Sequence, residues 1–175
     1  TGTYLSSIFQ QFLSPALLPA LTFLIAVMIS FATGTSMGTM AIMAVIALPM
    51  AYSMGNNIPL VAGAMFGGSI FGDHASPISD TTIMASAGAH CYHLNHVFTQ
   101  IPYALTVAIC AAIAYLVAGF SVGLGYTVYL PLSLGIFFLL LISSLLILPR
   151  LFPGNRESVR EPEHTETETA LSTKS

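Results

Sequence analysis

From Thr1 to Pro149 this chain has only two charged side chains, Asp73 and Asp80. A soluble domain carries about a quarter of its residues as Asp, Glu, Lys or Arg and needs them to stay in water. Lipid removes that need, so a run this poor in charge belongs in a bilayer. All the Lys and Arg residues (Arg150, Arg156, Arg160 and Lys174) and every Glu lie after Pro149. The formal net charge of −3 gives nucleic acid no electrostatic footing. Cys91 and Cys110 make no disulfide framework, and no signal peptide is recognisable. The opening TGTY, without Met, is read as the start of the C-terminal portion of a longer protein.

Residues 1–149 are therefore expected to be an all-α integral membrane domain and residues 150–175 a disordered cytoplasmic tail. Pro15–Ala32 is apolar, TGTSMGT (33–39) interrupts it, and Met40–Met54 is apolar again. This stretch reads as a helix hairpin with its tip inside the membrane, or as two crossings. The turn GNNIP (55–59) follows. A second interrupted segment, Leu60–Ala89, has GDHASPISD at its centre, and a hydrophilic connector, HCYHLNH (90–96), leads to two cleaner spans, Val97–Phe120 and Thr127–Leu148. Arg150, Arg156 and Arg160 after the last span put the tail in the cytoplasm by the positive-inside rule. Counting back, the connector lies inside, and turn 55–59 and loop 121–126 lie outside. Tyr126 and Tyr129 suit an outer interface.

Unwound backbone at membrane depth is tolerated only where protein buries it or water reaches it, because an unpaired peptide group in hydrocarbon costs several kcal/mol. Two breaks rich in Gly and hydroxyl residues therefore mark a binding site. The second also holds both acidic side chains, and no Lys or Arg of the membrane part can neutralise them. A carboxylate at mid-bilayer costs about 2.5–3.5 kcal/mol on insertion scales, so it must be paired, bind a cation or hold a proton. A group able to hold either a proton or a hard cation is the minimum device for exchanging the two.

The candidate ion ligands are Asp73, Asp80, Ser76, Ser79 and Thr81 in the second break and Thr35 and Ser36 in the first, with carbonyls near Gly72 and Pro77 adding oxygens. His74 is the candidate proton relay. Plainer roles compete with these. Asp80 before TTIM can be a helix N-cap, Ser76 and Ser79 can serve freed backbone, and Thr33, Thr35, Ser36 and Thr39 can be small packing residues. His90, Cys91, His93 and His96 invite a zinc reading, but no second cluster matches them. No cofactor, resident metal or catalytic residue is expected.

The strings FATGTSMGTMAIMAVIALPMA and FGGSIFGDHASPISDTTIMASAGAHCYHLNHVFTQIPYAL resemble the C-terminal half of the NhaC-type Na+/H+ antiporters, over about residues 20–110, with GDHASPISDTT as the specific part. The resemblance implies secondary exchange of Na+ (or Li+) for H+ by alternating access. It implies a two-half, inverted-repeat protein in the cell membrane, of which this chain supplies one half of the site. The partners it implies are the two ions, the bilayer, the missing N-terminal half and, as the oligomer considered, a homodimer. Relatives often show acidic residues and an Arg where Tyr92, Asn95 and Phe98 stand here, which leaves the Asp73–Asp80 region untouched. Some members exchange organic acids such as malate and lactate, which is the alternative function. An intramembrane aspartyl enzyme would need the two carboxyls to share a proton, and Ile70 occupies the first Gly position of a GxGD string.

Overall fold

The computed structural model describes residues 14–151, with side chains as far as Ile147. Every regular element among them is helical. A 3-10 turn, Pro15–Leu17, leads into α1 (Leu18–Thr33), followed by α2 (Ser36–Ser53), α3 (Ile58–Ala75), the short α4 (Asp80–Gly88), α5 (His93–Ser121), a 3-10 turn (Val122–Leu124) and α6 (Tyr126–Leu151). The chain divides into two compact units, Thr1–Ile142 and Ser143–Ser175; the described part of the second is helical. The cytoplasmic tail expected from residue 150 lies outside the described residues, apart from the last two of α6.

Among the described residues four helices are long and apolar enough to cross a membrane: Pro15–Thr33, Ser36–Ser53, His93–Leu124 and Tyr126–Ile147. The described residues thus match the expectation of an all-α membrane domain: they are helical throughout their regular elements, with several helices of membrane length. Both limbs of the first interrupted segment are in that set, at 19 and 18 residues, each about 27 Å long. They run antiparallel, since the Asn56 side-chain amide at the end of α2 donates to the carbonyl of Pro15 at the start of α1. The first segment is therefore an antiparallel pair whose limbs are each long enough to cross a membrane, the length that the two-crossings reading needs.

Local chemistry sets the helix ends. Gly34 closes α1 in the left-handed conformation, with φ +66°. Thr35, Asn57 and Ser79 are the N-caps of α2, α3 and α4, accepting from the N–H of Gly38, Leu60 and Thr81. Both breaks are shorter than the sequence suggested. The first is Gly34–Thr35 and the second Ser76–Ser79, because helical geometry persists through Gly72, Asp73, His74 and Ala75. The hydrophilic connector is also shorter, since His93–His96 already belong to α5.

The central contact is between α1 and α3, which run parallel. A Cβ on Gly68 would strike the Phe23 carbonyl and the Ala26 methyl, and one on Gly72 the Val27 carbonyl and the Phe31 N–H. Ser76 then donates to the Phe31 carbonyl at 2.7 Å, and Gly34 faces Ile78. Ala64, Gly68 and Gly72, four apart, form the stripe of small residues that lets two backbones come this close. An apolar core of Leu18, Ala26, Met43, Met50, Val61 and Met65 joins α1, α2 and α3. On the other side Tyr115 of α5 stacks on Phe23, with ring centroids 5.3 Å apart, and donates to the Gly63 carbonyl at 3.0 Å.

The molecule thus has two ends. At one, Asn57 donates to the Tyr129 hydroxyl at 3.0 Å, so turn 54–57 and the start of α6 lie together. At the other, the parallel run of α1 and α3 brings the two breaks side by side.

Candidate functional site

Asp73 sits in the last turn of α3 and is 3% exposed. The Ser79 hydroxyl, fully buried, donates to its Oδ1 at 2.5 Å. Ser79 has one proton and gives it to the carboxylate, so in the 2.7 Å contact between the Ser79 and Thr81 hydroxyls Thr81 is the donor. Thr81 Oγ1 in turn lies 3.3 Å from His74 Nδ1, which must then carry the hydrogen. Three hydrogen bonds, all pointing the same way, run from exposed His74 through Thr81 and Ser79 to buried Asp73. The break makes this possible: Asp73 and His74 end one helix, and Ser79 and Thr81 begin the next.

Asp80 occupies a different environment. It is exposed, and its Oδ1 accepts from the backbone N–H of Thr81 at 2.8 Å. The N-cap is Ser79, with extended backbone at φ −71°, ψ 137°, and Asp80 is already the first helical residue. There its negative charge complements the positive end of the α4 dipole. No hydrogen bond joins the two carboxylates among the described residues, and Asp73 pairs with Ser79 instead.

The remaining candidates divide. Ser76 is fully buried and committed to backbone, donating to Phe31 and accepting from the Ile78 N–H at 3.4 Å. Thr35 is exposed and caps α2, and Ser36 is half-buried at the first position of that helix. Thr39 is buried and donates to the Thr35 carbonyl at 2.8 Å. The carbonyls expected as ligands are partly occupied. Thr82 donates to the His74 carbonyl at 3.2 Å, and the Pro77 carbonyl lies 2.6 Å from His93 Nε2. Among the described residues no three His, Cys, Asp or Glu side chains stand close enough to hold a metal ion.

Two features escaped the reading of the sequence. Ser30, fully buried, donates to the Ser69 carbonyl and ties α1 to α3 one turn before Asp73. His93 belongs by composition to the hydrophilic connector, yet it opens α5. The signal that marks it is helical spacing, four residues before the buried Val97.

Gly34 is the most sensitive position of the first break. A Cβ there would stand 3.0 Å from the backbone carbon and oxygen of Ile78, and φ +66° is unfavourable for any L side chain by about 1–2 kcal/mol. Gly34→Ala is expected to lower the thermal midpoint of the purified protein by several degrees, corresponding to about 1–3 kcal/mol. An unchanged midpoint would show that the two breaks do not bear on each other.

Three comparisons bear on this arrangement. The model of the Na+/H+ antiporter family matches residues 1–120. An uncharacterized protein of Haemophilus influenzae is 45% identical over 122 residues, covering 69% of this chain and 24% of that protein. The malate-2H(+)/Na(+)-lactate antiporter of Bacillus subtilis is 34% identical over 113 residues, covering 65% and 24%. The Na(+)/H(+) antiporter NhaC of Alkalihalophilus pseudofirmus is 33% identical over 100 residues, covering 54% and 22%. The chain spans about a quarter of the length of these curated relatives. No solved structure matches it.

Proposed function

The chain belongs to the Na+/H+ antiporter family, and from that premise we propose that it carries one half of the ion site of a multi-pass secondary antiporter that exchanges Na+ or Li+ for H+ across the cell membrane. The observation that carries the reading is Asp73: a buried carboxylate with one hydroxyl donor and no Lys or Arg in residues 1–149 to neutralise it. Such a group is electrically satisfied by one Na+ or one proton, and by only one at a time. Competition for that place is what couples the two fluxes. Alternating access then presents the same carboxylate to either side in turn. An inverted second half, supplied by the rest of a longer protein, completes the oxygen shell, and the C-terminal tail lies in the cytoplasm.

In this mechanism the directed chain from His74 supplies the proton. Solvent protonates His74 at Nε2, and Nδ1 releases its hydrogen to Thr81. Thr81 passes a proton to Ser79, and Ser79 passes one to Asp73 Oδ1. The three hydrogen bonds reverse direction, His74 changes tautomer, and one proton has crossed from solvent to the buried carboxyl. Ser79 and Thr81 serve this route and also lie beside the cation. Thr35, Ser36 and Asp80 line the approach, and Ser76 holds the break to α1.

Exchange of malate and lactate, the activity in the name of the Bacillus subtilis relative, is the second reading. An anion would seek the free N–H groups at half-helix N-termini. In α4 the Thr81 N–H is already met by Ser79 and Asp80, and in α2 the Gly38 N–H is met by Thr35. Each start thus has one N–H fewer for an anion, and the buried, un-neutralised Asp73 favours the cation. The test uses the intact protein in everted vesicles carrying a pH gradient. Na+ or Li+ is expected to collapse the gradient with neither carboxylate present. Collapse that requires malate or lactate would overturn the Na+/H+ reading in favour of the second.

A further inference from the structure

We infer that His93 is a positioning residue that clasps the second break to α5 and thereby holds the Asp73–Ser79 pair in its ion-binding geometry. The inference rests on the function proposed above for its consequence, but not for its structural content. A broken helix leaves carbonyls without intrahelical donors, and in an apolar setting each needs another partner. Most polar groups of this break are met from within. Ser76 N–H bonds to the Asp73 carbonyl, Ser79 N–H to that of Ser76, and Thr82 Oγ1 to that of His74. All these partners would move with the break. Pro77 differs: its carbonyl is met from another helix, by His93 Nε2 at 2.6 Å.

The imidazole also reaches α4. Nδ1 lies 3.1 Å from the hydroxyl of Ser86, which is buried. One ring therefore bridges the break, the helix after it and the first turn of α5. Among the described residues no other side-chain hydrogen bond links α5 to the break or to α4. A carbonyl only accepts, so Nε2 bears a hydrogen; the Ser86 hydroxyl also donates to the Ile83 carbonyl at 2.8 Å, so the Pro77 bond is the one that carries the clasp. Proline at 77 donates no N–H of its own and has a fixed φ, so its carbonyl is a stiff handle on the chain between Asp73 and Ser79. Any displacement of α5 is passed through that handle to the carboxylate.

Loss of the clasp should leave the break able to sample other conformations. A site competent for only part of the time binds in proportion to that part. The expected signature is a raised apparent KM for Na+ with the maximal rate little changed.

The experiment compares the intact protein with His93→Leu and His93→Gln by hydrogen–deuterium exchange and by Na+-dependent proton flux in vesicles. In His93→Leu, exchange of amides 76–83 should rise about tenfold or more, with peptides of α1 unchanged and the apparent KM for Na+ raised to a similar degree. His93→Gln keeps an N–H donor of similar reach and should restore both. Unchanged exchange at 76–83, an equal rise in the Gln variant, or a rise that extends through α1 would overturn the clasp. Faster exchange at 76–83 with a parental KM would overturn its positioning role. If the intact protein moves no protons in response to Na+, the functional reading falls, and the exchange measurement alone decides the clasp.

Discussion

Replacing Asp73 by Asn is expected to abolish Na+-driven proton movement by the intact protein, with its abundance in the membrane unchanged. Asn is nearly isosteric and still accepts the Ser79 hydrogen bond made at 2.5 Å. It carries no charge for a cation and takes up no proton in place of one. Breaking a buried charged interaction costs about 3–5 kcal/mol, a loss in cation affinity of more than about a hundredfold. Asp80→Asn supplies the contrast. That carboxylate is exposed and engaged with its own helix N-terminus, so its loss should cost about 0.3–1 kcal/mol of local stability and change transport severalfold at most. Measuring Na+-induced collapse of a pH gradient in everted vesicles checks both. An Asp73→Asn protein as active as the parent would remove the basis for the site, and equal losses in the two variants would show that Asp73 has no special standing.

The second large effect is structural. Gly72→Val is expected to prevent stable folding, seen as loss of the monodisperse protein after detergent extraction. A Cβ at Gly72 would meet the Val27 carbonyl at 2.5 Å and the Phe31 backbone nitrogen and Ser30 Cβ at 2.7 Å each. Backbone atoms cannot swing aside as a flexible side chain can, so α1 and α3 would have to separate along their whole contact. Overpacking of a good interface costs about 1–3 kcal/mol, and a backbone clash more. Separation would also break Ser30 to Ser69 and Ser76 to Phe31, the bonds that hold the two breaks together. Gly135→Ala in α6 is the control, with nothing within 4 Å of the added carbon. It should be neutral or stabilise by about 0.5–1 kcal/mol. If Gly72→Val extracts and melts like the parent, the close parallel approach of α1 and α3 is wrong.

The prediction for Asp73 concerns a side chain that the sequence already picked out; the one for Gly72 concerns an interface it did not reveal. Two charges in 149 residues dictate a membrane solvent, since no aqueous fold tolerates that depletion. The breaks at Gly34 and at Ser76–Ser79 were legible because helix ends are local. A left-handed glycine, a Thr or Ser cap and a proline act within a few residues of themselves. Their true lengths were not legible, because intrahelical hydrogen bonding carries α3 through GDHA despite its polarity. Asp73 and Asp80 looked alike in the sequence, and burial depends on which neighbours fold over each. Asp73 is buried where α3 packs on α1, and Asp80 stands exposed at the first position of α4. That His93 reaches the Pro77 carbonyl, and that the two breaks meet, are facts about residues far apart in the chain. Composition and local stereochemistry therefore determine the solvent, the helices and the places where they stop. Which stops come together around the buried carboxylate is decided by helix packing, because hydrogen bonds and van der Waals contacts act over a few ångströms in space, whatever the distance along the chain.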